Sequence, residues 1–163
     1  MNISMKKGLL ALVGAVALAG AGSAQAVSAT FQGQTTLTDP TGTQVTCTLT
    51  LNGDVTGGVV TVMSGTVTAG DPLCAAIVLS PFNWTGTIQP NPTSDPVGTL
   101  TLAGAGASIP SIGLNCVGDV SGIITTTQGS VAPAGSGVPD HAILSNLPLG
   151  SSGCTIDGTL TYQ

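Results

Sequence analysis

The sequence contains no arginine and no glutamate, and its two lysines, Lys6 and Lys7, sit at the extreme N-terminal end. The remaining charge is carried by seven aspartates, at positions 39, 54, 71, 95, 119, 140 and 157, which sets the net charge at −5. These absences exclude several kinds of partner. Nucleic acid binding requires Lys or Arg to displace counterions from phosphates, and none is present beyond Lys7. An anionic membrane surface is excluded for the same reason, and enzymes that cradle phosphate would lack their basic clamp. Aromatic side chains are also scarce: Phe31, Phe82, Trp84 and Tyr162 are the full set. His141 is the only histidine. After Ala26 no long segment shows the apolar period of a helix.

What the first 26 residues do contain is the layout of an export signal. Lys6 and Lys7 form a positive n-region, Gly8 to Gly20 is an apolar run, and Ala24-Gln25-Ala26 is a small-x-small cleavage site. The run is too short for a stable membrane span. The expected organisation is therefore a signal peptide over 1–26 and one domain over 27–163, secreted or held in the periplasm. No cysteine stands at the cleavage point, so a lipid anchor is not indicated.

Residues 27–163 are rich in Thr, Ser, Gly and Val. Branching at Cβ suits a pleated, half-buried strand, and Gly and Pro punctuate strands rather than helices. Alternation of apolar and polar residues marks strands around Phe31–Leu37, Val45–Leu51, Val60–Val62, Leu100–Leu102, Ile112–Cys116 and Cys154–Tyr162. Shorter strands fit Phe82–Ile88, Ile123–Thr127 and Ala142–Leu147, while Leu73–Leu79 fits either a buried strand or a helical turn. The Asp-Pro pairs 39–40, 71–72 and 95–96 read as turn formers and strand stoppers. Many short strands separated by turns predict an all-β, single-domain fold of β-sandwich or jelly-roll type.

Cys47, Cys74, Cys116 and Cys154 all lie in the exported part. An even count in a small exported domain reads as two disulfides. A zinc site would want close cysteine pairs, which this spacing lacks. Three connectivities are open. One internal similarity favours 47–74 and 116–154: Gly53-Asp54-Val55-Thr56-Gly57 is echoed by Gly118-Asp119-Val120-Ser121-Gly122. Each copy stands between two of the cysteines, as two related hairpin units would.

Sites of chemistry are sparse. His141 follows Asp140, with Ser136 and Ser145 close in sequence, but neighbouring side chains on a strand face opposite ways and cannot assemble a triad. No G-x-S-x-G elbow occurs. The aspartates are too widely spaced for a calcium loop and read as turn residues. Gly104-Ala105-Gly106 lacks the remaining glycine and the helix of a dinucleotide loop. No catalytic residue, metal or cofactor is expected. Repeated Thr-x-Thr pairs, at 46/48/50, 66/68, 85/87, 99/101 and 159/161, read as polar outer faces of strands. Phe82 and Trp84, led by Pro81, have two readings: a contact for a hydrophobic ligand or interface, or a plug in a core short of large side chains.

Taken together, several short motifs resemble the PraB-like family of secreted bacterial proteins, activators of alkane oxidation. They are the signal peptide, Thr46–Thr50 (T-C-T-L-T), Leu73-Cys74-Ala75, Pro81-Phe82-Asn83-Trp84-Thr85, Leu114-Asn115-Cys116 and Gly153-Cys154-Thr155. The resemblance implies a non-enzymatic secreted protein tied to growth on hydrophobic substrates, or to cell-surface and biofilm behaviour, and it supplies no catalytic residue. The stretches Pro90–Pro96 and Ala132–Pro139 depart from it. A weaker resemblance is to chaperone–usher pilins, through Thr159–Gln163, Gly150 and Phe31-Gln32-Gly33. It implies the alternative of a self-associating filament subunit using strand addition, although four cysteines and a short segment before Phe31 depart from that pattern.

Mass spectrometry of the exported protein is expected to find a mature chain starting at Val27. An intact Met1 would remove the signal-peptide assignment.

Overall fold

The computed structural model describes residues 26–56, 58–90, 97–126 and 141–163. They form one antiparallel sheet of nine strands: β1 (Val27–Thr38), β2 (Gln44–Thr56), β3 (Val59–Gly70), β4 (Val78–Leu79), β5 (Trp84–Pro90), β6 (Val97–Ile109), β7 (Leu114–Thr126), β8 (His141–Pro148) and β9 (Thr155–Tyr162). Two short 3₁₀ helices, η1 (Pro72–Ala76) and η2 (Pro110–Ile112), stand before β4 and β7.

All-β architecture is as the alternation predicts, but the two-layer sandwich or jelly roll is not what the strands build. Leaving β4 aside, each strand pairs with its successor in the chain, and β9 returns to pair with β1. Pairing of β6 with β5 on one side and β7 on the other completes the circuit. The sheet is an up-and-down meander whose hydrogen-bonded neighbours close on themselves, as in a small barrel. The reason lies in strand length. β1, β2, β3, β6 and β7 each run for 12 or 13 residues, so β1–β2, β2–β3 and β6–β7 pair along most of their length and need no crossing connections.

Long strands must bend to close a circuit, and glycine supplies the bends. A Cβ at Gly33 in β1 would fall on the carbonyl oxygen of Thr159 in β9. One at Gly158 would fall on the carbonyl oxygen of Gln34, and Gly158 holds φ of 148°. The backbones of β1 and β9 therefore approach more closely there than side-chain-bearing residues allow. The β1–β9 ladder is interrupted at this point, between Gln32↔Thr161 and Thr35↔Gly158, and resumes in the same register.

Inward and outward positions follow the sequence alternation. Val45, Cys47, Leu49, Leu51 and Val55 of β2 are buried, as are Leu144 and Ala142 of β8. The threonines of the Thr-x-Thr pairs face outward, and none of them is buried. Uncharged cross-strand hydrogen bonds tie this outer face together: Thr30 Oγ1 donates to Asn52 Oδ1 at 2.8 Å, Gln32 Nε2 to Thr50 Oγ1 at 2.9 Å, and the Thr36 and Thr46 hydroxyls lie 2.8 Å apart.

Segment 73–79 resolves into η1 followed by the two residues of β4. Asp71 caps η1, its carboxylate accepting from the Leu73 N–H at 2.9 Å. Ile112, read as the start of a strand, belongs to η2 and is exposed, and β7 begins at Leu114. The two-hairpin reading of the Gly-Asp-Val repeat fails. Gly53–Thr56 does end β2 before a turn, but Gly118–Gly122 lies inside β7, which runs on to Thr126. There the glycine serves close packing: Gly118 sits against Gly150, and Asp119 accepts from the Gly104 N–H at 3.0 Å.

The disulfides join Cys47 to Cys74 and Cys116 to Cys154. Both lie at the end of the sheet that carries the β1–β2 turn, η1, η2 and the β8–β9 turn. Cys47–Cys74 ties η1 to β2, and Cys116–Cys154 ties β7 to the residue preceding β9. Closing loops of 27 and 38 residues restricts the unfolded chain. Replacing Cys116 and Cys154 together by Ala is expected to cost about 2–5 kcal/mol in denaturant unfolding. Non-reducing peptide mapping that joined Cys47 to Cys154 would contradict the pairing.

Candidate functional site

The inner face of the closed sheet is almost wholly aliphatic. Leu51, Val62, Leu102, Leu144 and Leu160 converge on it from five different strands. Between them the side chains leave a cavity of about 130 Å³. Its origin is compositional. Barrels of about eight strands have interiors that side chains either fill or leave open for one small ligand. Here small side chains occupy many inward positions, among them Ala29, Ala105 and Ala142, and one large ring, Trp84, is fully inside. The described lining has one buried polar side chain, Thr35. Asn52 and Asp54 also border the cavity, but their side chains turn to the outer face, where they bond Thr30 and Ser28.

The wall has a break in its ladders between β3 and β4. β3 pairs with β5 only through Val59–Val62, and β4 pairs only with β6. From Met63 to Gly70, β3 has β2 on one flank and, among the described residues, no ladder partner on the other. Side chains fill this seam instead. Val67, Ile77, Leu79 and Ala107 line the cavity and are each partly exposed, and Gly65 gives Leu79 room to lie against β3.

The two rings of the aromatic pair differ in burial. Trp84 opens β5 opposite Val62, is 5% exposed and lines the cavity. Its Nε1–H donates to the Pro81 carbonyl at 3.0 Å, so burying the indole leaves no donor unpaired. The bend that delivers it passes through Asn83, held at φ 80°, whose N–H donates to the Val62 carbonyl at 3.1 Å. Phe82 stacks on Trp84 with centroids 5.0 Å apart and is only partly buried. Trp84 is thus a core residue, and Phe82 covers it from outside. A second aromatic contact, Phe31 edge-on to Tyr162 at 5.8 Å, joins β1 to β9.

The other residues with chemical potential are dispersed. His141 and Ser145 both occupy outward positions on β8, about 13 Å apart along the strand. His141 Nδ1 is buried with no hydrogen-bond partner among the described residues. Asp140, Ser136 and Asp95 lie outside the described residues. The other aspartates serve local geometry. Asp39 accepts from the Thr41 hydroxyl at 2.7 Å and from the Thr41 and Thr43 N–H groups at 2.8 Å. Those bonds, the Thr41 hydroxyl foremost, hold its carboxyl below the usual range despite an opposing contribution from desolvation. Asp157 accepts from the Asn146 N–H at 2.7 Å. Among the described residues no three His, Cys, Asp or Glu side chains gather as metal ligands would.

The described residues thus form a closed antiparallel sheet around an apolar interior. The family model described as alkane oxidation protein activator PraA/PraB-like matches residues 2–163, and the chain belongs to that family. No curated protein and no solved structure matches it. Family membership links the protein to alkane oxidation as an activator.

Trp84→Ala is expected to cost about 3–5 kcal/mol in chemical unfolding. Phe82→Ala should cost about 1–2 kcal/mol, because part of that ring already meets water. Equal losses would contradict the division between an inner and a covering ring.

Proposed function

We propose that the protein is a secreted, non-enzymatic factor that acts in contact with hydrophobic substrates such as alkanes, at the cell surface or in its immediate surroundings. The observation that carries this reading is an interior lined by aliphatic side chains around unfilled volume, in a member of an alkane-oxidation activator family. Three further features support it. The first described strand begins at Val27, directly after the expected export signal. The two disulfides suit an oxidising compartment. The outer strand faces are dominated by uncharged threonine, glutamine and asparagine, with no lysine or arginine among them. The same face suits a biofilm matrix. The periplasm is the other compartment that fits.

The filament alternative has less support. Strand addition requires a vacant place beside an end strand. Here β1 is flanked by β2 and β9, and β9 by β1 and β8, and the unpaired Met63–Gly70 flank of β3 is covered by side chains such as Leu79.

Deleting the gene is expected to slow growth on a liquid alkane while leaving growth on a soluble carbon source unchanged, and the secreted mature protein should restore it. The purified protein should also collect at an oil–water interface. Normal growth of the deletion strain on alkane, with no change in adhesion, would overturn the proposal. Filaments in electron micrographs of concentrated protein would favour the alternative.

A further inference from the structure

We propose that the interior of the closed sheet is a binding site for one small, uncharged, apolar molecule of about six to eight carbon atoms. The proposal rests on the hydrophobic-substrate reading above and deepens it by naming what the protein holds. The cavity measures about 130 Å³. A dry apolar cavity of about 150 Å³ is large enough to take up benzene. Water is a poor occupant, because an ordered water needs about two to four polar partners. The described lining offers the Thr35 side chain and little else, since Asn52 and Asp54 spend their side chains on the outer face. A carboxylate or ammonium group would find nothing to pair with inside, so charged molecules of the same length are rejected.

The ligand has a route through the wall. Between Met63–Gly70 of β3 and β4 no strand ladder has to break, because Val67, Ile77, Leu79 and Ala107 close the gap by side-chain contact alone. The Cys47–Cys74 bridge ties η1 to β2 beside this seam, so the sheet keeps its form while the side chains part. Long alkanes exceed the cavity. The site therefore accommodates a short chain whole or the end of a longer one.

The test uses the oxidised mature protein with n-hexane and benzene as probes and hexanoate as the charged control, read by methyl NMR and thermal unfolding. Hexane and benzene are expected to give saturable shifts at the inward methyls of Leu102, Leu144 and Leu160 and to raise Tm, while hexanoate does neither. Ala142→Leu, which places its added carbons in the cavity, should weaken hexane binding by about tenfold or more at an unchanged circular dichroism spectrum. Ala105→Val serves if that variant does not fold, and Ile143→Thr, on the outer face of the same strand, should leave binding intact. Hexane shifts confined to outward Met63, Val117 and Ile143, or equal in wild type and Ala142→Leu, would mean surface adsorption and overturn the site. The cell assay separates this proposal from the one it rests on. No inward shift together with poor growth of the deletion strain on alkane overturns the interior site and leaves the surface role standing. Saturable inward shifts with normal growth support the site and remove that role.

Discussion

Every strand carries a row of backbone N–H and C=O groups on each flank, and a row left unpaired at a sheet margin invites another chain to pair with it. Proteins commonly guard such margins with lysine. This chain has none after Lys7. Its remedy is pairing: β1 meets β9 and β6 meets β7, so most of the flank groups of the described strands are used within the molecule. The β1–β9 contact is the constraint on which the remainder depends. Without it, a neutral, threonine-rich sheet would present two long, flat, unprotected edges. With it, the outer face can do without cationic guards.

Closure also explains the composition of the interior. Strands of 12 or 13 residues wound into a circuit need bends, and bends need glycine at places such as Gly33 and Gly158, where backbone meets backbone. Glycine contributes no side chain to the centre, and alanine at positions 29, 105 and 142 contributes little. The unfilled volume inside is thus a by-product of the same residues that let the sheet close. Packed end layers offset that deficit. Val45, Ile109, Cys116 and Cys154 are all but completely buried at the bridged end, where the disulfides supplement a core with one large ring inside.

The parts of the fold that could be read from the sequence are those where polar and apolar residues alternate with contrast. β2 and β9 are examples, and so is the outward placement of the Thr-x-Thr pairs. The second half of β3, from Met63 to Gly70, was legible only through Thr66 and Thr68, and the stretch of β6 from Ala103 to Ile109 was not legible. Their Ala, Gly and Ser have little to distinguish one face from the other, and pairing with neighbours decides their conformation. Closure was hidden for a related reason, since the β1–β9 contact joins the two ends of the described chain and no local pattern encodes it. The Gly-Asp-Val-x-Gly echo pointed to the observed disulfides through an argument that does not hold, because one copy precedes a turn and the other packs inside a strand. As for the cavity, no motif announces a volume. The available signal was a poverty of rings combined with alanine at inward positions.

The start of β1 and the end of β9 emerge side by side, with Phe31 opposite Tyr162, and both bridges lie at the far end. A load applied between these two strand ends acts like opening a zip. It separates the β1–β9 ladder one rung at a time rather than shearing all its rungs together, and the sulfur links do not oppose the first step. Such a molecule yields to mechanical tension at the very seam that closes it, while its bridged end stays whole.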